Sequence, residues 1–396
     1  MRPTNMRTLL TLALLAALSN AHAADTPMLP ATKSDQVPQR LVVLAAPKSA
    51  AERAPVQFSW ALDPNAALTS DAKPAVIESR EYWQETDGAA LQRGLDIATS
   101  APGALIRVSP ITGAAKVSAD SVRISRAGRA VSAAKRTDAA QLQSAGLAVS
   151  EGTAAVQLAD EAGAGHYAVQ VAQARGRYVV HVFEPRSEVR LLAALSHDHG
   201  LAGTSREVVV DLQRGDTRLK AQGGALLVAP SGRSWPLSLK DSGDGRLRAA
   251  VTLPTDAGEQ PPGLWEVQVF AGDGEIQRDA RTAIAVAQPT AKLDGGYRFD
   301  AARLSFDLPL RAASPGRYEV RGTLYATGPG RALRPVAIAH SARWLDGGAG
   351  RIELAFDRAQ LAKGYGAPYE LRDVELNDQS RLAPVERRQR VARIAR

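Results

Sequence analysis

Cysteine is missing from all 396 residues, which excludes disulfides, thiolate metal centres and the acylated cysteine of bacterial lipoproteins. A chain this long can still fold by hydrophobic burial alone, because dependence on disulfides falls as the core grows. Nucleotide-binding loops are missing too. No lysine follows a glycine, so the Gly-Lys pair of a phosphate-cradling Walker loop does not occur, and Gly-x-Gly-x-x-Gly is absent with it. Neither the Gly-x-Ser-x-Gly elbow nor His-Glu-x-x-His is present, which removes common hydrolase arrangements without excluding every hydrolase. Aromatic residues make up only 5%, and no dense basic stripe with interleaved rings is visible, so no nucleic-acid partner is expected.

Long apolar runs are confined to the start. Arg2 and Arg7 form a positive region, Leu9 to Leu18 an apolar one, and Ala21-His22-Ala23 fits a small-x-small cleavage site, so residues 1–23 read as a signal peptide. The run is too short for the roughly 20 residues that cross a bilayer as a helix. The mature chain, starting at Ala24, is expected to carry no membrane anchor and to act in the periplasm or outside the cell. Lys and Arg number 49 against 41 Asp and Glu, a net +8; loss of Arg2 and Arg7 leaves +6, which favours weak attraction to anionic surfaces without specifying a ligand. Arg387, Arg388, Arg390, Arg393 and Arg396 are the one local concentration of charge and read as a solvated, frayed end.

What fills the rest is alternation. Residues 24–54, with recurrent proline, read as an extended lead-in with a short strand at Leu41–Leu44. Residues 55–190 show period-two segments, beginning with Val56, Phe58, Trp60 and Leu62 on one face. Tyr167–Val171 and Tyr178–Val182 flank an Arg175-Gly176 turn and read as a hairpin, and Ala133 to Val149 holds a short helix ending near Gly146. Residues 191–288 show the cleanest sandwich pattern: Val208, Val210, Leu212; Trp235, Leu237, Leu239; and Trp265, Val267, Val269, separated by Gly/Pro/Asp turns. Residues 289–396 repeat the theme with Leu304 to Leu310, then Val336, Ile338, His340, Ala342 and Trp344 on one inward face, and Tyr369, Leu371, Val374, Leu376 broken once by a bulge. The expected fold is all-β: three consecutive antiparallel β-sandwich, immunoglobulin-like domains, the first less regular.

Two segments carry a resemblance. Leu226 to Phe270, with its Asp-Ser-Gly-Asp-Gly turn and Pro-Gly-x-Trp-x-Val-x-Val strand, is similar to immunoglobulin-like domains of bacterial extracellular proteins. The last block, through Gly316-Arg317-Tyr318, Gly322-Thr323-Leu324-Tyr325, Ala339-His340-Ser341-Ala342 and Ala367 to Asp373, resembles a C-terminal sandwich module of secreted proteobacterial proteins. Together they resemble an uncharacterised family of exported multi-domain proteins, a domain of unknown function. Such a family implies no catalytic residues, and a shared sandwich says little about activity.

Candidate chemistry is sparse. His197-Asp198-His199 offers two imidazoles and a carboxylate that could ligate zinc, but the three fall at a domain junction and read better as polar linker. His166 and His181 read as half-exposed strand residues, and His340 as a hydrogen-bonded core histidine. Asp241 and Asp244 read as turn formers rather than calcium ligands. No catalytic residue or cofactor is assigned. Tyr365 and Tyr369, beside Gly366 and Pro368, are the loop aromatics to inspect for ligand binding. The expectation is a non-enzymatic exported binding protein, its partner a protein or a cell-surface polymer. A hydrolase with a catalytic first domain, and a structural spacer or envelope assembly factor, stand as alternatives. Intact-mass measurement of the exported protein should give a chain beginning at Ala24; retention of residues 1–23 would show that the segment is an anchor.

Overall fold

The computed structural model describes residues 25–48, 52–68 and 74–395. The proposed signal peptide, the Ala24 start and Arg396 lie outside the described residues. Within them, the alternating segments form six antiparallel-dominated sheets that face each other in pairs around three separate apolar cores. The fold is that of β-sandwiches in series.

In the first sandwich, Glu81–Asp87, Arg177–Phe183, Leu105–Pro110, Ala154–Leu158 and Ala133–Asp138 form one sheet, and Leu95–Thr99, Gly165–Val171, Val122–Arg126 and Arg129–Ala130 the other. Gly165–Val171 and Arg177–Phe183 therefore lie in different sheets, so the expected hairpin is instead a crossing between layers. The expected helix is present as Ala139–Ser144, capped by Asp138 and Gln141 in a reciprocal capping box. A second, Gly88–Arg93, is capped by Asp87.

The second sandwich packs Val189–Leu195, Ser205–Arg214 and Leu247–Thr252 against Gln222–Val228, Trp265–Gly272 and Gln277–Ala287. Trp265 is buried and stacks on half-buried Trp235, ring centroids 5.4 Å apart. In the third, Ser305–Ala312 and Gly348–Ala355 face a five-stranded sheet built on Leu333–Leu345, Gly316–Thr327, Gly366–Asp378 and Ala383–Ile394. Arg387, Arg388, Arg390 and Arg393 are thus not a frayed end. Ala383–Ile394 is a sheet strand that buries Val385, Val391 and Ala392. The expected bulge in the last hairpin is present, with register shifts at Leu371/Arg372 and Leu376/Asn377.

The N-terminal stretch departs most from the sequence reading. Residues 25–48 are not a free lead-in, and Leu41–Leu44 is not a strand. Thr26–Pro27 pairs with Gly296–Asp300, Gln36 exchanges backbone hydrogen bonds with Arg387, and Val42 donates to Pro289 O while accepting from Ser314. Val56–Ala61, read as opening the first domain, is instead the edge strand of the third domain's sheet, paired with Leu333–Leu345. Val76–Ser79 then completes a sheet of the second sandwich beside Val189–Leu195. Only at Glu81 does the chain enter the first. One N-terminal strap therefore visits the third, second and first domains in turn. A fragment of residues 289–396 lacks two of its strands and should show no cooperative melt by near-ultraviolet circular dichroism, with residues 25–68 added in trans restoring it. Cooperative melting of 289–396 alone would show the strap to be dispensable.

Candidate functional site

The first and second sandwiches meet along Glu81–Asp87 and Gln277–Ala287. At the centre of the contact, Arg278 Nη2 lies 2.5 Å from Glu184 Oε2, and both side chains are fully buried. Arg278 also donates to Val189 O, Gln277 O, Ser100 Oγ and Ser187 Oγ, and Glu184 accepts from the backbone of Ser100 and Ala101 at 2.6 and 2.9 Å. Buried charges cost several kcal/mol each unless paired and hydrogen-bonded, and here both conditions are met. Beside this pair, Asp279 accepts from Trp83 N at 2.9 Å, and the Arg281 guanidinium sits 4.2 Å from the Trp83 ring centre.

Above the contact the two domains leave a trough. One part, of about 480 Å³, has Gln84, Asp96 and His166 on the first-domain wall and Gln222, Phe270 and Glu275 on the second. It continues past His166 and Glu275 into a wider hollow reaching Arg186, Glu188 and Arg214. His166 Nδ1 lies 3.1 Å from Asp96 Oδ2, both well exposed. No hydroxyl is hydrogen-bonded to that imidazole among the described residues.

A second unusual surface is on the third domain. Val56, Phe58 and Trp60 are 40%, 49% and 43% exposed along the edge strand. Phe58, Trp60 and His340 stack on one another with centroids 5.1 to 5.6 Å apart and planes within 20°. His340 is therefore not in the core. Val336 is an extra residue between the paired positions Pro335 and Ala337. This bulge turns Val336, Ala337 and Ala339 inward and sends Ile338 and His340 to the outer face, where His340 pairs with Glu319 at 2.7 Å. Elsewhere in that sheet the arginines share carboxylates, Arg321 and Arg387 with Glu375 and Arg372 and Arg390 with Glu370, which leaves an excess of positive charge.

The other candidates are scattered. His197-Asp198-His199 is not an interdomain linker: His199–Leu201 is a strand of the second sandwich, parallel to Gln277–Ala287, and His199 Nδ1 bonds Asp198 at 2.8 Å. Among the described residues no three His, Cys, Asp or Glu are grouped to hold a metal ion. Asp244 accepts from Ser242 Oγ and Arg246 N, which with the nearby Arg246 and Arg248 charges hold its carboxyl down at about 2. Tyr369 is not an exposed loop residue but is 6% exposed in the third core, and half-buried Tyr365 packs over Gly328. His181 bonds Glu81 at 2.8 Å. Sequence reasoning missed Asp96, Gln222, Phe270 and Glu275. Of these only Phe270 left a signal, standing out of phase with inward Trp265, Val267 and Val269.

Two family models, described as the N-terminal and C-terminal domains of a domain of unknown function (DUF4785), match residues 47–184 and 290–395. This chain belongs to the DUF4785 family. The N-terminal match begins before Val56–Ala61, and so includes the strand that this DUF4785 protein lends to its third domain. A crystal structure of a DUF4785 family protein from Legionella pneumophila is similar at 20% identity, covering 93% of this chain and 99% of that one with a TM-score of 0.70. That likeness shows a shared fold. Trypsin-activated alpha-2-macroglobulin from Escherichia coli is matched at 14% identity over 74% of this chain and 22% of its own, with a TM-score of 0.21. No curated protein matches.

The interface makes one pH prediction. Burial pushes the Asp279 carboxyl up to about 6, against the hydrogen bonds it accepts from Trp83 and Gln277. The folded protein then binds more protons than the unfolded chain between about pH 4 and 6, so this group's contribution to stability falls as pH rises through that window. Asp279→Asn should remove this group's part of the slope and stabilise the protein at pH 7.5 by about 1 to 3 kcal/mol. Denaturant melts across pH 4 to 8 check this; an unchanged slope would contradict it.

Proposed function

We propose that this DUF4785 protein is an exported, non-enzymatic binding protein that holds a protein partner against the aromatic edge of its third domain, in the periplasm or outside the cell. The observation that carries the reading is the exposed row Val56, Phe58 and Trp60. Isolated exposed apolar residues are ordinary, whereas a contiguous exposed row marks an interaction surface. The row lies on a strand whose outer edge has no paired neighbour among the described residues, an arrangement that can accept an extended segment by strand addition. Its rings are ordered before any partner arrives, since Phe58 and Trp60 both stack on His340 and Glu319 holds His340. Preordered aromatic side chains lose little entropy on binding and are favoured where a few residues supply most of the affinity.

The test is affinity capture from envelope and culture-medium fractions with the mature chain and with Phe58→Ser/Trp60→Ser. These side chains are half exposed, so the double variant should melt much as wild type does. Proteins retained by wild type should fall about tenfold or more with the double variant. Equal capture by both chains would remove the edge from consideration. A wild-type dimer that becomes monomeric in the double variant would show that the edge serves a second copy of the chain.

A further inference from the structure

We propose that the trough between the first and second domains is a separate binding site for a neutral, hydroxyl-rich ligand, a glycan segment. The trough is preformed. Its two walls are held together by the buried Arg278–Glu184 pair, which bonds Ser100 of the wider hollow and adjoins Gln277 of the narrower part. Its first-domain wall is pinned where Tyr82 Oη donates to Ala98 O and accepts from Ala98 N, at 2.9 and 3.0 Å. A site fixed in this way binds without paying for closure.

The lining decides the ligand class. Phe270 lies directly across the strand pair from Gly224, and a Cβ on Gly224 would stand 2.6 Å from the Phe270 ring. Glycine there lets the ring lie over the neighbouring strand, and Phe270 stays 37% exposed at the trough. Around it stand three side-chain amides, Gln84, Gln222 and Gln277, and two carboxylates, Asp96 and Glu275. Amides both donate and accept, carboxylates accept, and an aromatic ring offers an apolar surface. Sugars present the matching set: hydroxyls that donate and accept, and an apolar ring face of C–H groups. The narrower part contains no lysine or arginine, so an anionic ligand would face Asp96 and Glu275 without a counter-charge. For a cationic peptide only Glu275 is left as a counter-charge, since Asp96 already faces His166. The Gln222 amide and the Glu275 carboxylate have no side-chain partner among the described residues and are available to a ligand. At about 480 Å³ the narrower part falls within the roughly 300 to 1,000 Å³ of small-ligand sites.

The experiment uses the mature full-length chain on an array of neutral oligosaccharides, acidic oligosaccharides and arginine-rich peptides, followed by calorimetric titration of the best neutral oligosaccharide. The expected result is retention of neutral oligosaccharides. Affinity should be about tenfold weaker in Phe270→Ala and a few-fold weaker in Gln222→Ala, an exposed position chosen because it leaves the fold untouched. Phe58→Ser/Trp60→Ser should bind the oligosaccharide as wild type does, which separates this site from the aromatic edge. Retention of only acidic glycans or only basic peptides would overturn the proposal. So would no retention at all, or neutral binding indifferent to both trough variants.

Discussion

The relation between the first two sandwiches hangs on one buried ion pair, Arg278 with Glu184. Apolar burial is non-directional and would tolerate many angles between two domains. A guanidinium and a carboxylate taken wholly out of water tolerate few, because each lone pair and each N–H must find a partner. Serines and backbone groups from both sides supply those partners at fixed positions. Removing either charge would leave the other uncompensated, a penalty of about 3 to 5 kcal/mol against a domain stability of roughly 5 to 15 kcal/mol. The trough above the pair is therefore a fixed shape rather than an opening between loosely tethered bodies.

The second and third domains are joined by different means. The Arg206 guanidinium of the second sandwich donates to the Gln36 side chain of the strap and to His199 O, and the Gln36 backbone exchanges hydrogen bonds with Arg387 of the third. The result is a series of sandwiches with two unlike surfaces on different domains. One is concave, polar and shared by two domains. The other is exposed, aromatic and confined to a sheet edge.

Strands were legible in the sequence because alternation is a local signal. Leu304 to Leu310, Val208 to Leu212 and Trp265 to Val269 all face inward as their period predicts. Pairing was not legible, because a period of two is the same whichever strand lies alongside. Val56 to Leu62 reads as a strand but carries no mark of a partner near residue 340. Nor does alternation say which shared face is buried, and the face that carries Phe58 and Trp60 is the exposed one. His340 was misplaced by one inserted residue, Val336, which reversed the phase beyond it. Glu184 and Arg278 are 94 residues apart in sequence, with nothing local to join them.

The strap ties the earliest described residues to the last described strand. Gln36 bonds the carbonyl of Pro384, 348 residues away. Closing so large a loop costs about 5 kcal/mol in chain entropy if nothing else has folded. A chain that emerges N-terminus first presents Gln36 well before Pro384. Through that interval Val56–Ala61 has no sheet to join, while the first and second sandwiches already possess most of theirs. Their prior folding shortens the effective loop and carries the strap toward the place where its partners emerge. The third core therefore closes only once the chain reaches its final strand, and chains cut short anywhere in the last block keep an unburied N-terminal segment by which they can be told apart from whole ones.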